Sequence, residues 1–127
     1  YDLDRLEHAL RLFDDPSKVA VEFRDPKWIN EDTRSLLEYL GAVFCDAESP
    51  DSKLQGWVTS DTAYLRLHGR SEWYCYEYQE NDLVEISLVA RNMVKKGAGN
   101  VYIYFNNDFG GFAPQNALRL KQILQEG

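Results

Sequence analysis

Four short apolar runs, each closing on polar residues, constrain this chain more than any other feature. They are Lys18 to Arg24 (KVAVEFR), Ala42 to Cys45 (AVFC), Ala63 to His68 (AYLRLH) and Val101 to Asn106 (VYIYFN). Short β-branched and aromatic runs bounded by turn residues predict buried strands. Amphipathic segments alternate with them. Leu3, Leu6, Ala9, Leu10 and Phe13 recur at helical spacing and predict a helix over 3–13, which Asp14-Asp15-Pro16-Ser17 ends. A second helix is predicted from Thr33 to Leu40, with Asn30 or Asp32 as N-cap and Gly41 as C-cap. A third starts at Asn81 or Asp82, runs to Lys96 and stops at Gly97. Ala113-Pro114 opens the last, with proline suited to a first turn.

The order is helix, strand, helix, strand, loop, strand, helix, strand, helix. Strands joined through helices of this size return by right-handed crossovers and lie parallel. Segment 47–62 (AESPDSKLQGWVTSDT) has no helical period, yet it is long enough for a parallel return, which takes about a dozen residues. The expected fold class is α/β, built from parallel β/α units.

Period-two alternation divides the runs into two faces. Glu22 and Arg24 lie opposite Val21 and Phe23. Tyr64, Arg66 and His68 lie opposite Leu65 and Leu67, and Tyr102, Tyr104 and Asn106 opposite Val101, Ile103 and Phe105. The aliphatic faces suit a layer of helices. An open sheet with helices on both faces would bury Glu22, Arg24, Arg66 and His68 under apolar cover, which is costly unless all are paired. A barrel interior with a charged upper layer accepts them, so the four strands are expected to form half of a TIM-type barrel. No GxGxxG follows the first strand and no P-loop is present, so nothing supports a dinucleotide fold.

Composition narrows the classes. Lys and Arg number 14 against 21 Asp and Glu, a net charge of −7. That balance argues against a broad nucleic-acid surface, which needs a basic field. Cys45 and Cys75 form no CxxC pair, so a reduced, cytoplasmic setting is expected. No apolar run approaches the roughly 20 residues that span a bilayer. The chain opens Tyr1-Asp2-Leu3-Asp4 without Met, already helical in pattern, so residues 1–127 are expected to be one partial domain of a longer protein.

In β/α folds chemistry gathers at the C-terminal ends of strands. His68 is the acid/base candidate because its ordinary pKa lies near neutrality. Glu22 and Asp25 are candidate partner carboxylates, and Asp108 completes the catalytic set. Arg24, Arg66 and Arg70 are candidate anion holders, aided by Gly110 and Gly111 ahead of a helix N-terminus. Asn106 and Asn107 are placed to position a ligand, and Trp28 and Trp73 to stack on a sugar or base. Each has a plainer alternative: an ion-paired strap for Glu22, Arg24 and Arg66, a hydrogen-bonded strand-end imidazole for His68, turn geometry for the glycines, rim packing for the tryptophans. No HxH, HExxH or CxxC spacing occurs, so no metal site and no cofactor is assigned.

Val21-Glu22-Phe23-Arg24-Asp25 with Trp28, then Arg66-Leu67-His68-Gly69-Arg70, then Tyr104-Phe105-Asn106-Asn107-Asp108 with Gly111, Ala113, Asn116 and Ala117 form an ordered set of motifs. Together they resemble the YecE-like family, domain of unknown function 72. The resemblance implies a TIM-type barrel of roughly twice this length. This chain would be its C-terminal half, strands five to eight. The loops after His68 and Asn106 would then follow strands seven and eight, where such barrels often bind phosphate. The family supplies a fold and a site but no agreed reaction.

The functional expectation is a hydrolase or lyase acting on a small anionic or phosphorylated ligand. The alternative is a non-catalytic module that binds a nucleotide, sugar phosphate or nucleic-acid end; whether the chain is an enzyme stays open at this point. Four strands leave two exposed edges, which invite pairing. The expected partner is the missing N-terminal half of the barrel or a second copy of the chain.

Overall fold

The computed structural model describes residues 1–73, 76–107 and 111–126. One sheet carries four strands in sequence order: β1 (Ala20–Val21), β2 (Val43–Glu48), β3 (Thr62–Leu67) and β4 (Asn100–Phe105). All neighbouring pairs run parallel. Four helices accompany them: α1 (Leu3–Arg11), α2 (Glu31–Leu40), α3 (Glu80–Lys95) and α4 (Phe112–Glu126). The chain is an α/β half-barrel of parallel β/α units. Among the described residues no helix is long and apolar enough to cross a membrane.

Local chemistry sets the helix ends. Asn30 caps α2, its Oδ1 accepting from Thr33 N at 2.9 Å, and Gly41 closes the helix at φ 71°, a left-handed conformation that glycine adopts without strain. The start of α3 differs from expectation: Gln79, not Asn81 or Asp82, is the N-cap, and Asp82 completes a capping box with it.

The strand bounds differ more. β1 is far shorter than the predicted run 18–24. A 3-10 turn over Pro16–Lys18 takes Lys18 out of the strand, and a second over Pro26–Trp28 follows at once. Only Ala20 and Val21 pair with Val43 and Phe44. The zigzag nevertheless continues past β1: Val19, Val21 and Phe23 pack with Phe44 and Leu37, while Glu22 turns to the opposite side. β2 in turn runs on through Asp46 and Glu48, where the sequence pattern predicts its end.

The outer faces of β3 and β4 meet α3 and α4. Leu65, Leu67, Leu83, Ile86 and Met93 are almost fully enclosed there, each side chain worth roughly 1.5–3 kcal/mol relative to exposure. No helix joins β2 to β3, as the sequence predicts, so the loop itself covers the outer face of β2. Trp57 packs on Phe44 with ring centroids 4.5 Å apart. Thr59 Oγ1 accepts from Phe44 N at 3.0 Å and donates to Ala42 O at 2.7 Å, standing in for a strand neighbour before pairing with β3 begins. Asp46, buried on this side, accepts from Gln55 N at 2.8 Å and Gly56 N at 2.7 Å.

The inner face is less covered. Tyr64 stacks on Tyr102 and Tyr104, with centroids 5.2 and 5.6 Å away, while Tyr102 and Tyr104 stay 46% and 48% exposed.

Candidate functional site

Parallel register determines which side chains share the inner face. Cys45 lies beside Tyr64, and Ala47 beside Arg66. These small residues on β2 leave a gap that longer side chains from its neighbours fill. Glu22 reaches in from beyond β1, and its Oε1 accepts from Arg66 Nη1 on β3 at 3.1 Å. Arg66 Nε donates to Asn106 Oδ1 at 3.2 Å. The ends of β1, β3 and β4 are thereby tied across the top of β2.

His68 continues the inner parity of β3. It is 2% exposed, and its Nε2 lies 3.9 Å from Glu22 Oε1. The Trp73 ring lies over it, tilted 40° with centroids 5.5 Å apart. Burial pulls the imidazole below its ordinary 6.5; Glu22 opposes this, and the positive charges of Arg66 and Arg24 add to the lowering. His68 is thus neutral near pH 7. The Cys45 thiol donates to Glu22 Oε1 at 3.5 Å, and burial first, then the Glu22 charge, pushes its pKa up to about 12. That thiol stays protonated and is no nucleophile.

These groups border a cavity of about 480 Å³ between segment 22–26 and the loop 49–55. Glu22, Arg24, Asp25, His68 and Trp73 all line it. Asp25 is partly engaged, since its Oδ1 caps the Pro26–Trp28 turn through Lys27 N at 3.0 Å. Burial pushes the Asp46 carboxyl, also in the wall, up to about 6 against the pull of its N–H partners. Lys53 lines the cavity too. The sequence pattern offered no signal for Lys53, because it lies in the one crossover without a helical period.

Other predicted site residues lie elsewhere. Arg70 turns to the outer side, donating to Glu48 at 3.1 Å and to Asp82 and Glu85 at 2.8 Å each. It does not join Arg66, because outer-face carboxylates from β2 and α3 surround it. Asn107 is fully buried; its Nδ2 donates to Tyr76 O at 2.7 Å and Asn116 Oδ1 at 2.8 Å, tying β4 to α4. Trp28 stacks on Phe23 with centroids 4.8 Å apart and meets the edge of Tyr1, and it is not among the residues that line the cavity. Gly111, at φ 83°, precedes α4. Asp108 and Gly110 lie outside the described residues. Among the described residues no group of three or more His, Cys, Asp or Glu is arranged to hold a metal ion.

The chain matches the family model described as "Protein of unknown function DUF72" over residues 1–127. It is also similar to solved structures. A DUF72 family protein from Thermotoga maritima superposes with a TM-score of 0.81 at 29% identity, covering 97% of this chain and 50% of that one. Two structures of a DUF72 family protein from Enterococcus faecalis give 0.80 at 20% identity and 0.74 at 25%, covering 97% of this chain and 51% and 53% of theirs. The chain therefore spans about half the length of the solved structures it matches. No curated protein matches it. The family model and the shared half-barrel agree, and the chain belongs to the DUF72 family, the YecE-like proteins of unknown function.

Proposed function

We propose that the strand-end cavity is a small-molecule site for acid–base chemistry, of hydrolase or lyase type, on an anionic or phosphorylated ligand. The relation of His68 to Glu22 carries this reading. An imidazole held neutral at pH 7 accepts a proton, and a carboxylate 3.9 Å away stabilises the imidazolium that forms. A cavity of about 480 Å³ suits a small ligand. Arg24 lines it, and Arg66 with Asn106 holds Glu22 in place.

The test is a turnover panel of phosphate monoesters and anionic esters with wild-type and His68→Ala protein. The variant is expected to lose at least about 100-fold in kcat. Undiminished turnover removes His68 from the chemistry. The second reading is a binding module, favoured by the near-complete enclosure of His68. Saturable binding without turnover, insensitive to His68→Ala, supports it.

The half-exposed tyrosine face and the open edges of β1 and β4 support a further set of four strands closing the barrel, supplied by the rest of a longer chain or by a second copy. The 127-residue chain alone is expected to self-associate in size-exclusion chromatography with light scattering; a monodisperse monomer rejects this.

A further inference from the structure

The polar groups of the strand-end cavity divide unequally. Its acceptors are partly taken. Glu22 Oε1 is engaged by Arg66 and Cys45, both oxygens of Asp46 by backbone N–H groups, and one oxygen of Asp25 by Lys27 N. Asp51 is the remaining carboxylate, at the exposed rim. Two cationic donors are not taken. Among the described residues, no hydrogen bond or ion pair engages the Arg24 guanidinium or the Lys53 ammonium, although both line the cavity, Arg24 from segment 22–26 and Lys53 from the loop 49–55. To an anionic ligand this cavity therefore offers two charged N–H donors.

Much of the rest of the wall is apolar, with Ser49, Ser52 and Gln55 as its uncharged polar groups. Phe23, Ile29 and Phe44 form one side, and Trp73, 40% exposed, stands with His68 on another. A bare anion leaves this surface wet, whereas a planar apolar body covers it and stacks on the indole.

We propose that the ligand is a small anion carried on a planar apolar body, of the aryl phosphate or aryl carboxylate type, with Arg24 and Lys53 clamping the anionic group and the body lying between Trp73 and the Phe23–Ile29–Phe44 wall. This rests on reading the cavity as the ligand site, and it moves the anion-holding role from Arg66 and Arg70, whose guanidiniums are bound to carboxylates, to Arg24 and Lys53. A guanidinium binds a phosphate or carboxylate in bidentate fashion, while an ammonium acts as a point charge, so Arg24 contributes more than Lys53.

Calorimetric titration with phenyl phosphate, inorganic phosphate and benzyl alcohol tests it. Phenyl phosphate is expected to bind saturably, at least about tenfold tighter than either fragment. Arg24→Gln is expected to weaken it about tenfold and Lys53→Gln about threefold, with Tm unchanged in both exposed-site variants. Lys27→Gln, a like charge change outside the cavity lining, is expected to leave affinity unchanged. His68→Gln should stay within about twofold in affinity even where turnover is lost, so failure of the acid–base reading and failure of the clamp give different results. Absence of saturable phenyl phosphate binding, equal affinity for inorganic phosphate, or wild-type affinity in both Arg24→Gln and Lys53→Gln overturns the proposal.

Discussion

Glu22 and Arg66 belong to segments separated in the sheet by β2, yet their side chains meet at 3.1 Å above it. The contact exists because β2 presents the small residues Cys45 and Ala47 to that face beside Tyr64 and Arg66. Glu22 therefore serves three neighbours, a guanidinium at ion-pair distance, an imidazole at 3.9 Å and the Cys45 thiol at 3.5 Å.

That arrangement makes the His68 titration a readout of the cluster. Glu22→Gln removes the one charge that raises the His68 pKa, so the value is expected to fall further below 6.5. Arg24→Gln removes a charge that lowers it, so the value is expected to rise. NMR titration of the His68 imidazole in both variants checks the two signs, and a shift in the same direction in both contradicts the geometry.

His68 also links stability to acidity. Its pKa in the fold lies below the unfolded value of 6.5, so the unfolded chain takes up the proton first. The stability due to neutral His68 is present above pH 6.5 and is lost as pH falls from there through the folded value. Unfolding temperatures measured from pH 8 downward should decline less in His68→Gln than in wild type. Parallel curves would mean that the imidazole titrates alike in both states.

Asp46 is expected to matter through the loop it holds. Asp46→Ala strips the acceptor from the N–H groups of Gln55 and Gly56, at a cost of about 2–3 kcal/mol. Asp46→Asn keeps one acceptor and should cost less. Urea denaturation measures both. The carboxyl's own pKa, pushed up to about 6, acts oppositely to His68: its contribution is present below the ordinary 3.8 and is lost as pH rises through 6.

Gly69 is expected to tolerate no side chain. At φ 119°, an added Cβ would fall against the Glu72 carbonyl oxygen and 2.9 Å from Tyr76 Cβ. Gly69→Ala should destabilise by about 3 kcal/mol or displace the turn that brings Trp73 to His68. Thermal unfolding and near-UV circular dichroism distinguish the two; a variant unchanged in both would contradict this packing.

The fold was legible where periodicity is local. The 3.6-residue stripes of α1 to α4 and the alternation in β3 and β4 are properties of neighbouring residues, and the inner parity of Glu22, Arg66 and His68 follows from them. The end of β2 was not legible. Asp46 and Glu48 read as a stop, and only their partners, Gln55 and Gly56 for one and Arg70 for the other, make them tolerable inside a strand. Arg70 reads like Arg66 in the sequence, and its turn to the outer side depends on Asp82 and Glu85, more than ten residues on. Lys53 was invisible for the same reason: a loop without a period gives no direction to its side chains.

The helix-free crossover between β2 and β3 has an architectural consequence. Everywhere else a helix packs rigidly on the sheet, so altering a loop's length would shift a core layer. From Ser49 to Asp61 the chain holds the barrel wall through side-chain and backbone contacts such as those of Asp46, Thr59 and Trp57, while its first residues border the cavity. Insertions or deletions near Lys53 can therefore reshape the ligand's surroundings without unseating a strand, which makes this segment the natural place for relatives to diverge in what they accept.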